Sequence, residues 1–215
     1  MKKDLTELVF ILDRSGSMGG LEADTIGGFN SLIEKQKKEE GTALVSTILF
    51  DDKMEIIHDR VNLIDVKKLT DKEYYVRGCT ALLDAVGSTI KHIEAVQKGL
   101  PEEEKPEKTL FVITTDGFEN ASKEYTYNAV KALIDESKKN EFEYLFLGAN
   151  IDAAAEAERI GIDRGNAATF INDKEGIDIN YDAISKTVSH VRMMKAVPYG
   201  WNKDIEENTK KKSHK

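Results

Sequence analysis

The stretch Leu8-Val9-Phe10-Ile11-Leu12-Asp13-Arg14-Ser15-Gly16-Ser17 decides how this chain reads. Its first half is apolar without alternation. A central strand covered on both faces must look like this, because each side chain meets a packed layer whichever way it points. Its second half turns abruptly to a carboxylate, two hydroxyls and a glycine. In an open α/β sheet, ligands bind beyond the carboxyl ends of the strands, where the strand order reverses. The stretch therefore predicts a buried strand and, directly after it, a polar loop at a binding edge.

Similar apolar runs recur downstream: residues 43–50, Leu110-Phe111-Val112-Ile113-Thr114, Tyr144-Leu145-Phe146-Leu147 before Gly148, and more weakly Ala168-Thr169-Phe170-Ile171. Amphipathic segments lie between them. Leu82, Val86, Ile90 and Ile93 share one helical stripe, Val130, Leu133, Ile134 and Ser137 another, and Ile184, Val188 and Val191 mark a long late helix. This alternation predicts an α/β fold with a doubly wound, mainly parallel central sheet of about six strands flanked by helices. Residues 54–61 follow Phe50 after only Asp51-Asp52-Lys53. That link is too short for a parallel crossover, so one antiparallel edge strand is expected, with Asp51-Asp52 as its hairpin turn. Gly161 should stop the helix begun near Ala153. Gly27-Gly28 inside the 21–39 helix cost roughly 2 kcal/mol against alanine, which predicts close packing or a bend. Lys35-Gln36-Lys37-Lys38 reads as the exposed end of that helix, and Glu102 to Glu107 as a charged loop.

At 215 residues the chain can bury a full core without staples. Residues 1–200 read as one domain. After Pro198 the pattern dissolves, and residues 201–215, ending Lys210-Lys211-Lys212-Ser213-His214-Lys215, read as a flexible basic tail. A net charge of −8 argues against nucleic acid as a partner. Cys79 is the single cysteine and has no internal partner, so nothing demands an oxidising compartment. The apolar run behind Met1-Lys2-Lys3-Asp4 is shorter than a secretory core, and no segment approaches a membrane span. The expectation is a cytoplasmic monomer with no membrane partner.

Two more segments supply oxygen donors. Thr114-Thr115-Asp116-Gly117 ends a buried strand and brings a second carboxylate to the same sheet edge. Gly78-Cys79-Thr80-Ala81-Leu82 opens a helix after a loop and offers the Thr80 hydroxyl. Such hard donors suit Mg²⁺, Mn²⁺ or Ca²⁺ rather than zinc.

With Asp13, Ser15, Ser17, Thr80 and Asp116 all present, the sequence resembles the von Willebrand factor A family. That family's metal-ion-dependent adhesion site has the form D-x-S-x-S, then a threonine, then an aspartate on the fourth strand. The spacings, 63 residues from Ser17 to Thr80 and 36 from Thr80 to Asp116, suit it. The resemblance spans roughly residues 5–195, including Gly28-Phe29-Asn30 and Asn120, and leans toward stand-alone bacterial or phage members associated with stress responses. It implies a Rossmann-like von Willebrand A fold and a divalent ion, Mg²⁺ first. Ser15, Ser17 and often Thr80 would bind the ion directly; Asp13 and Asp116 would act mostly through water. The implied activity is binding rather than catalysis: an under-neutralised ion accepts a carboxylate from a protein partner.

Other readings remain beside this one. Asp13, Ser15 and Ser17 also suit helix capping. Asp84 reads as a cap or ion-pair residue of its own helix, Cys79 as a small loop residue with a redox-sensitive thiol as the alternative. Glu119 is a solvated loop acid or an internal ligand of the ion; with Asn120 it can line the rim. Tyr74-Tyr75 and Arg77 read as packing residues, with partner contact as the alternative. His58, His92, His190 and His214 lack zinc-type spacing. A metal-dependent phosphoryl-transfer hydrolase would also place an aspartate after the first strand, but needs a second acid where Ser15 stands. A serine-hydrolase elbow, a dinucleotide fingerprint and a P-loop are absent. The third class is a scaffold whose metal is only structural.

Overall fold

Six strands, β1 (Lys2–Asp13), β2 (Thr42–Phe50), β3 (Met54–Asn62), β4 (Pro106–Thr115), β5 (Phe142–Ala149) and β6 (Ala167–Phe170), pair in the order β3-β2-β1-β4-β5-β6. The computed structural model describes residues 1–213, without the side chains of Lys2, Lys3 and Ser213. All pairings are parallel except β2 with β3, which run antiparallel from the Phe50–Met54 pair. The expected sheet and its antiparallel edge strand are both present. β1 pairs with β2 on one side and β4 on the other, so the chain order reverses between β1 and β4. That reversal splays the connections apart and opens a crevice at the carboxyl ends of these two strands.

The helices are α1 (Glu22–Gln36), α2 (Leu82–Gly99), α3 (Tyr127–Ser137), α4 (Ala153–Arg159), α5 (Lys174–Met194) and α6 (Lys203–Ser213). Strand alternation splits the core in two. Leu8, Phe10 and Leu12 pack with Phe29, Leu32, Ile184 and Val188 of α1 and α5. Val9 and Ile11 face the other way, onto Leu82, Val86, Ile90 and Val130 of α2 and α3. Gly28 is where α1 meets α5: a Cβ there would stand 2.2 Å from the Tyr181 ring, so the glycine is explained by close packing. Gly161, at φ +90°, follows α4 as expected of a helix stop.

Two regions depart from expectation. Gln36, read as part of an exposed basic end, is fully buried. Its amide donates to Ser185 O and Ser189 Oγ, and Arg192 donates to Gln36 O and Oε1 and to the carbonyls of Glu40 and Gly41. Arg192 thus satisfies carbonyls left open at the end of α1.

Residues 201–215, expected as a mobile tail, instead carry α6 as far as they are described; His214 and Lys215 lie outside the described residues. Trp201 and Ile205 join the α1/α5 core. Asn202 donates to Ala167 O and Thr209 to Thr169 O, two outward carbonyls of the edge strand β6. Two buried side chains and a covered edge hold this polar segment down. Among the described residues no helix is long and apolar enough to cross a membrane.

Candidate metal centre

The crevice between β1 and β4 collects the five predicted residues. Asp13 ends β1 and is 1% exposed. Its Oδ1 accepts from the Ser15 amide at 2.7 Å and its Oδ2 from the Thr115 hydroxyl at 2.6 Å. The Leu12–Thr114 register sets that second bond, because it brings the next residues of β1 and β4 side by side. The loop then turns through Gly16, whose amide donates to Gly78 O at 3.2 Å and so ties the serine loop to the threonine loop. Ser15 Oγ and Ser17 Oγ lie 3.1 Å apart, and Ser17 donates to Asp116 Oδ1 at 2.5 Å. Ser15 is buried, whereas Ser17 is exposed and forms the mouth.

Thr80 reaches the same point from the α2 side. Asn120 holds it from both ends: the Thr80 amide donates to Asn120 Oδ1 and the Asn120 amide to Thr80 O. A Cβ placed on Gly117 would stand 3.3 Å from Thr80 Oγ1 and 3.6 Å from Ser17 Oγ. Both hydroxyls therefore converge over the glycine that follows Asp116.

Burial pushes the Asp13 carboxyl above its ordinary range; bonds from Thr115 and Ser15 oppose this, and the Asp116 charge adds to it. Burial likewise raises Asp116, against bonds from Ser17 and Asn172. Two buried carboxylates side by side without a cation are electrostatically uncomfortable, and a bound cation relieves both. The donor set of three hydroxyls and two carboxylates fits a small hard cation. Among the described residues no group of three or more His, Cys, Asp or Glu gathers to hold a metal, so an ion here depends on the hydroxyls.

The nearest arginine in sequence does not serve the site. Arg14 is fully buried and points away, donating to Asp51 at 2.9 Å, Glu55 at 2.8 Å and Glu73 O at 3.1 Å. Arg77 donates to the same Asp51 oxygen at 2.7 Å, and the Tyr75 ring lies within cation–π range of both guanidinium groups. Asp51, read as a turn residue, is thus a buried ion-pair centre. Burial alone would raise its carboxyl, but the Arg77 and other hydrogen bonds hold it below the ordinary range. Tyr74, read as packing, is buried and donates to Asp13 O at 2.6 Å.

Other assignments change as well. Glu119 is neither a solvated acid nor poised on the ion: its carboxylate accepts from the amides of Leu83, Ala121 and Ser122, fixing the start of α2 to the loop after β4. Asp84 does not cap its own helix but accepts from the amides of Lys123, Glu124 and Tyr125. Cys79 is exposed in its loop. His58 is buried against Thr47 and His92 faces Asp59. One residue that touches these five escaped the sequence reading altogether: Asn172, just past β6, donates to Asp116 Oδ2 at 3.1 Å. Its position beyond the carboxyl end of a strand was the available signal. A cavity of about 600 Å³ lies at the other end of the sheet, near the starts of β4 and β5, with a mixed-charge lining that includes Glu94, Lys98 and Lys139.

No family model matches the chain, and no curated protein matches it either. Solved structures do resemble it. Proximal thread matrix protein 1 from the mussel byssus, solved with a zinc-occupied MIDAS motif, is 14% identical with a TM-score of 0.59; the match covers 86% of this chain and 46% of that one. A von Willebrand factor type A protein from Catenulispora acidiphila is 14% identical with a TM-score of 0.61, covering 86% of this chain and 42% of that one. The vWF domain of a type V pili tip protein from Porphyromonas gingivalis is 11% identical with a TM-score of 0.62, covering 90% and 98%. The chain thus spans less than half of the first two and nearly all of the third. At these identities the likeness is one of fold.

Proposed function

From the premise that the chain has a von Willebrand factor A fold, we propose that it is a divalent-metal-dependent protein-binding module. Its ion is held by Asp13, Ser15, Ser17, Thr80 and Asp116, and a carboxylate of a protein partner completes the ion's shell. The observation that carries this reading is the convergence of three uncharged hydroxyls with two carboxylates that already accept hydrogen bonds. When bound, the ion supplies a positive charge that its neutral donors leave largely uncancelled. This chain's own residues do the rest: Thr115 and the Ser15 amide orient Asp13, Asn120 holds Thr80, and exposed Ser17 leaves the mouth open.

Mg²⁺ is the proposed ion, with Mn²⁺ and Ca²⁺ as alternatives of like chemistry. The zinc reported in the mussel protein makes zinc a further ion to titrate. We read the chain as a non-enzymatic, cytoplasmic monomer. Ser15 stands where a phosphoryl-transfer site needs a second acid, which supports binding over hydrolysis. A pull-down in Mg²⁺ and in EDTA, read by mass spectrometry, tests the reading. Wild type should retain a partner only with the ion, and Thr80→Ala should lose it while melting within about 1 kcal/mol of wild type. Retention that is equal in EDTA refutes the mechanism.

A further inference from the structure

Asn172 contacts the centre from an element that the motif does not include. Its amide nitrogen donates to Asp116 Oδ2. That orientation is forced, because an ionised carboxylate only accepts, so the NH₂ and not the oxygen must face it. The carbonyl oxygen on the same carbon is consequently fixed as well, and it is buried without a hydrogen-bond partner. A buried acceptor left unpaired costs about 1–3 kcal/mol, which is seldom tolerated unless a ligand or its water shell completes it.

The residue is also held firmly. Asp173 caps α5 by accepting from the Gly176 amide at 2.8 Å, and its own amide donates to Ile171 O at 2.8 Å. A Cβ on Gly176 would stand 2.0 Å from Ile171 O, so α5 starts pressed against the peptide before Asn172. Lys212 of α6 then pairs with Asp173 at 2.6 Å. Such rigidity is what an orienting group needs.

We propose that Asn172 is a sixth residue of the metal centre, a positioning residue whose NH₂ tethers Asp116 and whose buried carbonyl oxygen accepts a hydrogen bond from the hydration shell of the bound ion. The inference rests on the metal-binding reading above. It assigns the β6–α5 loop a direct share in ion affinity. Partners of this kind typically change metal affinity by about 10–100-fold when removed.

The test titrates the full chain with Mg²⁺ by calorimetry and with Mn²⁺ by electron paramagnetic resonance, alongside melting in EDTA. Asn172→Ala should weaken both ions by about tenfold or more. Asn172→Asp tests whether position 172 lies close enough to the ion for its charge to be felt. A carboxylate beside Asp116 should lower the melting temperature in EDTA by like-charge repulsion, yet tighten ion binding by adding negative charge to the shell. A merely structural asparagine would leave the ion affinity of Asn172→Ala at the wild-type value while lowering its melting temperature in EDTA. If wild type binds the ions but Asn172→Asp binds them no more tightly, the role of Asn172 is overturned and the metal centre stands, whether or not Asn172→Ala folds. If wild type binds neither ion, the metal centre and this inference fall together.

Discussion

Replacing Asp116 with asparagine should place the variant level with or above wild type in stability without the ion and below it with the ion. The substitution keeps the shape. An asparagine can still accept from the Asn172 amide and can itself donate to Ser17 Oγ, so both existing contacts survive. Each loses its charge-assisted part, about 1 kcal/mol apiece. Against that, a carboxylate whose ionised form burial disfavours no longer has to be held without a cation. In EDTA the variant should therefore melt at or above wild type. With the ion the balance changes. At an ion concentration about 100 times the dissociation constant, binding stabilises wild type by about 2.7 kcal/mol. For a chain of this size that is a rise of about 5–10 °C. The variant, with one anionic group removed, should keep only a small part of it. Differential scanning fluorimetry at pH 7 in EDTA and in millimolar Mg²⁺ reads both limbs. A variant that melts below wild type by the same margin in both buffers would mean that Asp116 is a structural carboxylate, and the electrostatic account of the site would fail.

Three further outcomes are expected. Gly28→Ala should destabilise by about 1–3 kcal/mol in chemical denaturation despite better helix propensity, because its Cβ meets the Tyr181 ring; a gain in stability would show that α1 and α5 separate easily. Asp51→Asn should cost about 3–5 kcal/mol by leaving buried Arg14 short of its partner. The Asp51 carboxyl is held below its ordinary range, so its contribution is present above that range and is lost as pH falls through it; the variant's stability should decline less than wild type's on acidification. Ile205→Ala, at a site 1% exposed, should release α6 from β6, seen as faster hydrogen exchange over residues 203–213 while the sheet stays protected.

The meeting of the five candidate residues at one sheet edge was legible because each stands where a local signal ends. Asp13 and Asp116 close apolar runs that must be central strands, and Thr80 precedes the apolar stripe of α2. Strand type, strand direction at the short Asp51–Lys53 link and the helix stripes all follow from periods of a few residues, which a linear chain displays openly. The von Willebrand A resemblance drew its force from the same local marks.

The remaining features were decided only when the chain folded, for one physical reason. Whether a polar side chain is exposed or buried depends on what other segments bring to it. Asp51 looked like a turn residue because Arg14 and Arg77, its partners, lie 37 and 26 residues away. Asp84 looked self-capping because the amides that donate to it belong to another segment, and Glu119 looked solvated because one of its partners, the Leu83 amide, does too. The 203–213 segment looked like a tail because two apolar anchors cannot announce a helix; α6 exists because Ile205 finds the core and Thr209 finds an open carbonyl on β6. Asn172 carries no motif at all, and its contact with Asp116 arises from the parallel pairing that sets the end of β6 beside the crevice. Period and spacing are properties of the chain; a hydrogen-bond partner from a distant segment is a property of the packed molecule.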